Sequence, residues 1–281
     1  MPKVEEVYKK AIEEGKPHAV FSTDVRTLLA HDLNIDHPAD IYMHFNDEIP
    51  ADSPFFENFE RICKGRPIEY VLNECKFLNH KLYVDERVLI PRGETEELVA
   101  LISERIYDYF DPRNYLVVAD IGTGSGCIAI SLKTLARNWL ITASDLSSAA
   151  LEVAKKNIQD NGMSIQTLQG RSLEPFIEAK MNLDIIVCNP PYIKNKEEAQ
   201  DSVRFYEPAS ALWLEEGNNV YEDIFRDYKK VKKGSLLMCF EIGYDLEEEL
   251  TELMKKYLEK YTYEFIKDLN GLTRFLFVYC E

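Results

Sequence analysis

From Asp111-Pro112 onward the chain alternates short apolar runs with helical stripes, and that alternation restricts it to one architecture. Tyr115 to Ile121, Leu140 to Ser144, Ile165 to Gln169, Leu183 to Cys188 and Gly234 to Ile242 read as strands, rich in apolar and β-branched side chains. Helical stripes are predicted between them at Cys127 to Ala136 and Ser147 to Asn161, and again at Asp245 to Tyr261. Two last strands, Tyr263 to Lys267 and Thr273 to Tyr279, flank an Asn270-Gly271 turn and read as a hairpin. Strand and helix in alternation predict a doubly wound α/β fold with a mostly parallel, Rossmann-like sheet.

The first part of the chain has a different period. Val4, Val7, Tyr8, Ala11 and Ile12 recur at helical spacing, and Val25, Leu28, Leu29 and Leu33 form a second stripe. Ala39 to Phe45 and Ser53 to Cys63 are expected as shorter helices, the latter with Ser53-Pro54 as cap and first-turn proline and Gly65 beyond its end. Residues 1–67 are therefore read as a small helical domain. From Ile68 to Pro91 the apolar residues suggest extended segments, with turns at Asn79-His80 and Asp85-Glu86, so 68–92 is expected to be a β-hairpin connector. Residues 93–281 form the α/β domain, entered by a helix from Leu98 to Tyr109 whose approach carries Glu94, Glu96 and Glu97.

Composition narrows the function. The apolar runs fall far short of the roughly 20 residues that span a bilayer. The N-terminus has no apolar secretory core and is too acidic for a transit peptide, so a cytoplasmic location and no membrane contact are expected. Cys63, Cys75, Cys127, Cys188, Cys239 and Cys280 make no CxxC pair and read as reduced, structural residues. All five histidines lie in the first third, apart from any clustered cysteines, so no metal is expected. A formal charge of −16 works against tight binding to phosphate backbones, and no direct nucleic-acid partner is expected.

Open α/β sheets hold ligands beyond the carboxyl ends of their strands, and three distinctive stretches fall there. Gly122, Gly124 and Gly126 allow a tight turn and close approach of a ligand to a helix N-terminus. Their GxGxG spacing, with Cys127 next, departs from the dinucleotide fingerprint. Asp145 ends the second strand, placed to accept both hydroxyls of a ribose; a helix-capping carboxylate is the plainer alternative. Asn189-Pro190-Pro191-Tyr192 follows the fourth strand. Two prolines cannot extend a sheet, so they leave carbonyls free as acceptors. Asn189 adds a side-chain oxygen and Tyr192 a flat face, which together suit a planar group carrying an NH2. A loop that merely ends a strand is the alternative for such a short motif.

Asp120-Ile121-Gly122-Thr123-Gly124-Ser125-Gly126, Asp145 and Asn189-Pro190-Pro191-Tyr192, in that order, resemble a class I S-adenosylmethionine-dependent methyltransferase of the amino-methylating type. Gly65-Arg66-Pro67-Ile68-Glu69-Tyr70, Leu89-Ile90-Pro91-Arg92-Gly93-Glu94-Thr95-Glu96 and Arg204-Phe205-Tyr206-Glu207-Pro208-Ala209-Ser210-Ala211-Leu212 are similar to stretches of the HemK/PrmC family of protein-(glutamine-N5) methyltransferases. That resemblance implies a helical domain, a hairpin and a seven-stranded catalytic domain. It also implies methylation of the glutamine in the Gly-Gly-Gln motif of class 1 peptide chain release factors, modulating translation termination. S-adenosylmethionine would be held by Asp120, Gly122, Thr123, Gly124, Ser125, Gly126, Asp145 and Asn189, with S-adenosylhomocysteine as product. Asn189, Pro190, Pro191 and Tyr192 would hold the substrate amide, with Asn189, Pro190 and Tyr192 carrying catalysis and Phe77 or another hairpin aromatic facing Tyr192. A monomer is expected, and acidic charge would steer it to basic regions of its partner.

Two residues depart from the family pattern. Gly93 stands where proline is usual, and Arg171 stands where many relatives carry an acid that contacts the adenine amino group. An arginine cannot accept that hydrogen bond. Two rival readings remain at this level: an adenine-N6 nucleic-acid methyltransferase, which would want a basic stripe, and a non-catalytic binding protein that keeps the fold.

Overall fold

The computed structural model describes residues 1–111, 115–195, 197, 200–214 and 219–281. Pro112, half of the expected Asp111-Pro112 boundary, lies outside them. The chain divides into two compact units: Met1–Glu74 with the short helix Asp201–Tyr206, and the remainder from Cys75 onward.

In the first unit, α1 (Val4–Gly15), α2 (Ser22–Asp32), α3 (Pro54–Cys63) and α4 (Ile68–Leu72) surround a core of Val4, Val7, Val25, Leu28, Leu29, Ile41, Phe55 and Ile62. Local chemistry sets the helix ends. The Asp24 carboxylate accepts the Phe21 N-H at 2.7 Å, and Ser53 Oγ accepts the Phe55 N-H at 3.2 Å while Pro54 occupies the first helical position. Two expectations change. Pro38–His44 winds as a 3₁₀-helix, because Ile41 is its only buried residue and no apolar stripe favours an α-helix. Ile68–Leu72 is helical rather than extended: Tyr70 and Val71 are both buried on this one turn, and Asn73 ends it in the left-handed region at φ 52°.

The second unit opens with a small antiparallel hairpin, β1 (Cys75–Phe77) and β2 (His80–Leu82). Its turn is Leu78-Asn79, one residue earlier than expected, with Leu78 at φ 49°. The Asp85-Glu86 turn forms, closed by Val88 N-H to the Asp85 carbonyl at 3.1 Å. Then α5 (Gly93–Tyr109) leads to β3 (Val117–Ile121), α6 (Cys127–Leu135), β4 (Leu140–Asp145), α7 (Ser148–Asp160), β5 (Gln166–Gln169) and β6 (Leu183–Cys188). β7 (Lys232–Glu241), β8 (Thr262–Lys267) and β9 (Thr273–Cys280) complete a seven-stranded sheet of order β5-β4-β3-β6-β7-β9-β8. Its first five strands in that order run parallel; β9 pairs antiparallel with both β7 and β8.

Both faces of the sheet are covered. One packs Val118, Ile141, Ile185 and Leu237 against α5 and α6, and the other packs Ile186, Met238 and Leu276 against later helices through Phe225 and Leu250. Each fully buried aliphatic or Phe side chain of this kind contributes about 1.5–3 kcal/mol of transfer free energy. The strand order reverses direction at β3, whose neighbours β4 and β6 come later in the chain on opposite sides. Loops leaving the carboxyl ends of β3 and β6 therefore separate and open a crevice. Among the described residues no helix is long and apolar enough to cross a membrane.

Candidate active site

The crevice is a cavity of about 250 Å³, and the glycine turn after β3, the end of β4 and the end of β6 all line it. Gly122, Gly124 and Gly126 have φ of 70°, 53° and 84°, a region other residues rarely adopt. Space beside Gly122 and Gly124 is open, whereas a side chain on Gly126 would meet Ala154 of α7 at 3.5 Å. The turn is held by Thr123 N-H to the Ser144 carbonyl at 2.8 Å and by Gly126 N-H to the Thr123 carbonyl at 2.8 Å. Asp145 fastens it from β4, accepting the Gly124 N-H at 2.9 Å and the Ser147 N-H at 2.9 Å on its two oxygens. Burial raises the Asp145 pKa against those backbone bonds. Each carboxylate oxygen keeps a second lone pair for a ligand.

Asp120 lies behind this wall instead of in it. It is fully buried, and one oxygen accepts Thr123 Oγ1 at 2.6 Å and the Ala129 N-H at 3.1 Å. Its other oxygen has no partner among the described residues, and burial pushes its pKa up to about 7. Asp120 thus shapes the turn from beneath; Thr123 and Ser125 line the cavity with the glycines.

Asn189, Pro190 and Pro191 line the same cavity, and so does Thr95 from the first turn of α5. Asn189 Nδ2 donates to Thr95 Oγ1 at 3.1 Å, Thr95 Oγ1 donates to Glu241 Oε2 at 2.7 Å, and the Tyr192 hydroxyl donates to Glu241 Oε1 at 3.2 Å. Tyr192 does not line the cavity; its ring is partly buried, 5.7 Å from the Arg274 guanidinium carbon. Phe77 does not line it either. On the three-residue strand β1 it alternates inward with Cys75, and it packs in the core with Leu98 and Ile102. The remaining wall joins two distant stretches: Leu89 and Pro91 meet Pro208 and Ala211, tied by an ion pair between Arg92 and the buried Glu207, which also accepts the Ile90 N-H at 3.2 Å. Among the described residues no group of three or more His, Cys, Asp or Glu is placed to hold a metal ion.

Comparison with known proteins agrees with this geometry. The model of the methyltransferase small domain matches residues 103–221. The release factor glutamine methyltransferase of Bacillus subtilis is 37% identical over 223 residues, covering 78% of this chain and 77% of the relative. The enzyme of the same name from Enterococcus faecalis is 36% identical over 237 residues, covering 83% of each chain. The chain belongs to the release factor glutamine methyltransferase family. Its fold is that of class I methyltransferases, as in a methyltransferase from Pyrococcus furiosus with a TM-score of 0.52, 15% identity, and coverage of 80% of this chain and 98% of the other.

Within this family the chain's Arg171 acquires a structural explanation. Arg171 lines the cavity, but its Nε and Nη2 are engaged by the Asp223 carboxylate at 2.8 and 2.7 Å. Next to it Ser172 is buried at φ 51°, also lines the cavity, and its hydroxyl has no hydrogen-bond partner among the described residues. Reasoning from sequence missed Ser172 and Glu241. Ser172 sits in a polar loop stretch without periodicity, and a glutamate at a strand end reads as exposed until its partners are placed in space.

Proposed function

We propose that this chain transfers the methyl group of S-adenosylmethionine to the side-chain amide nitrogen of the glutamine in the Gly-Gly-Gln motif of class 1 peptide chain release factors, leaving S-adenosylhomocysteine. The observation that carries this reading is that the Asn189-Pro190-Pro191 end of β6 and the glycine turn after β3 line one cavity. The residues present suit the donor. Open backbone at Gly122 and Gly124, spare lone pairs on Asp145 and the orphaned Ser172 hydroxyl offer a cradle, a ribose contact and a hydrogen-bonding edge. Bound there, S-adenosylmethionine supplies an electrophilic sulfonium methyl.

The protein supplies orientation. A glutamine amide nitrogen is a poor nucleophile because its lone pair is delocalised into the carbonyl. Asn189 Oδ1 and the Pro190 carbonyl each accept one amide N-H, aiming the nitrogen at the methyl and favouring positive charge as the N–C bond forms. The C–S bond breaks in the same step, and the substituted amide then sheds its proton. Tyr192, held by Glu241, lies behind the proline pair as a support. The helical unit is the part that recognises the release factor, and its exposed Phe21 and Met43 offer apolar contact. The enzyme acts as a monomer.

Transfer of labelled methyl to a purified release factor, beside a Gln→Ala variant of its Gly-Gly-Gln motif and a panel of DNA and RNA, tests this reading. Label on the wild-type factor alone supports it; label on nucleic acid replaces the glutamine by an adenine amino group. Two binding measurements test the cradle. Asp145→Ala weakens S-adenosylhomocysteine binding roughly 10–100-fold by calorimetry, as loss of charge-assisted hydrogen bonds of ~1.5–3 kcal/mol implies. Ser172→Ala weakens it about 2–10-fold, one neutral hydrogen bond, and leaves unchanged the affinity for the analogue whose purine lacks the amino group. Equal losses for both ligands would remove Ser172 from the adenine edge.

A further inference from the structure

Four polar side chains, from α5, from β7 and from the stretch that follows β6, meet beside the proline pair. β6 and β7 run parallel with Cys188 opposite Phe240, so Asn189 and Glu241 are the next residues along each strand. Thr95 reaches them from the first turn of α5, and Tyr192 returns from beyond the prolines. Glu241 is 1% exposed and Thr95 2%.

The chemistry of this chain of hydrogen bonds has only one polarity. An ionised carboxylate accepts and cannot donate. The single Thr95 hydroxyl proton therefore goes to Glu241, 2.7 Å away, and Thr95 has only lone pairs left for Asn189. Asn189 must turn its NH2 to Thr95, at 3.1 Å, and its Oδ1 accepts from no group among the described residues. The two ends of an asparagine amide have nearly the same shape, so packing alone does not choose between them. The choice is electrostatic, made one residue away. We propose that Glu241 is a positioning residue: through Thr95 it dictates that Asn189 presents an acceptor to the substrate, and through Tyr192 it holds the support behind the proline pair. This rests on the reading that a substrate amide donates to Asn189.

The same polarity predicts a pH response. Burial pushes the Glu241 pKa up to about 6 despite the bonds from Thr95 and Tyr192; Arg274 faces it from β9 and Glu94 from α5. Protonated, Glu241 becomes a donor toward Thr95, whose own proton then points at Asn189 and favours the flipped amide.

The experiment compares wild type with Thr95→Val, Thr95→Ser and Glu241→Gln for kcat against pH, S-adenosylhomocysteine affinity and thermal stability. Thr95→Val, nearly isosteric but without the hydroxyl, lowers kcat about 10–100-fold, the scale of a misoriented reacting group. Thr95→Ser restores most of that rate. Wild-type kcat falls as pH drops through about 6, and Glu241→Gln, which has no proton to gain there, lacks that acid limb. Product affinity stays within about twofold throughout, as expected for an interaction used only in turnover. An unchanged acid limb in Glu241→Gln, or full kcat in Thr95→Val, overturns the proposal. If wild type fails to methylate a release factor, the functional reading fails instead, and the positioning is read without substrate. The Asn189 side-chain NH2 is then protected from hydrogen exchange in wild type and Thr95→Ser and exchanges freely in Thr95→Val; equal exchange in all three overturns it.

Discussion

Asn189→Ala lowers turnover by about 10²–10³-fold, the loss seen when one preorganised hydrogen-bonding group is removed from a reacting centre. Affinity for S-adenosylhomocysteine is expected to change little, because the cradle proposed for that ligand is built from Gly122, Gly124 and Asp145, which line the same cavity. The asymmetry follows from the role proposed for Asn189: a contact to the amide nitrogen that strengthens as that nitrogen becomes positive lowers the barrier more than it improves binding. Steady-state kinetics on the release factor, with calorimetry for product, separates the two quantities. Equal losses in both would make Asn189 a cofactor contact alone. Asn189→Asp sharpens the result. It keeps an acceptor toward the substrate but removes the NH2 that Thr95 accepts, so the Thr95 hydroxyl faces two carboxylates with one proton to give.

The sheet was legible because β3, β6, β9 and the buried end of β7 are largely apolar runs, and β4 and β6 end where the sequence places Asp145 and Asn189. Ligand-facing loops follow from topology once strand order is known, so the glycine turn and the Asn-Pro-Pro stretch meet as expected. Local pattern failed where a few apolar residues fit two periods. Ile68, Tyr70 and Leu72 alternate as a strand would, yet Tyr70 and Val71 are buried side by side on one helical turn. It failed again where burial depends on remote partners. Glu241 is satisfied by hydrogen bonds from Thr95, 146 residues away, and Tyr192, 49 residues away, neither visible as a motif around the glutamate. Arg171 looked like the loss of an adenine contact; its guanidinium pairs instead with Asp223, 52 residues on, which no local pattern shows.

Phe240→Ala destabilises the protein by about 3–5 kcal/mol, the range for truncating a fully buried phenylalanine. Phe240 is fully buried on β7, with its ring 5.4 Å from Phe225 and 5.7 Å from Tyr221, so three large rings share one region of core. Rings of that size cannot collapse into the void without leaving their rotamers, which places the cost toward the upper end. The midpoint of thermal unfolding drops on the order of 10 °C, whereas Leu269→Ala, at a side chain 90% exposed, changes stability by no more than about 0.5 kcal/mol. A functional consequence comes with it. Tyr221 donates its hydroxyl to the Glu241 carbonyl at 2.8 Å, so the ring that loses Phe240 as a neighbour is the one that fixes the backbone of the buried carboxylate. At temperatures where Phe240→Ala remains folded, kcat is therefore expected to fall while S-adenosylhomocysteine binding, proposed to rest on the turns after β3 and β4, is retained. Loss of both together would place the void's effect on the whole sheet, and unchanged kcat would show that the Glu241 backbone is held without Tyr221.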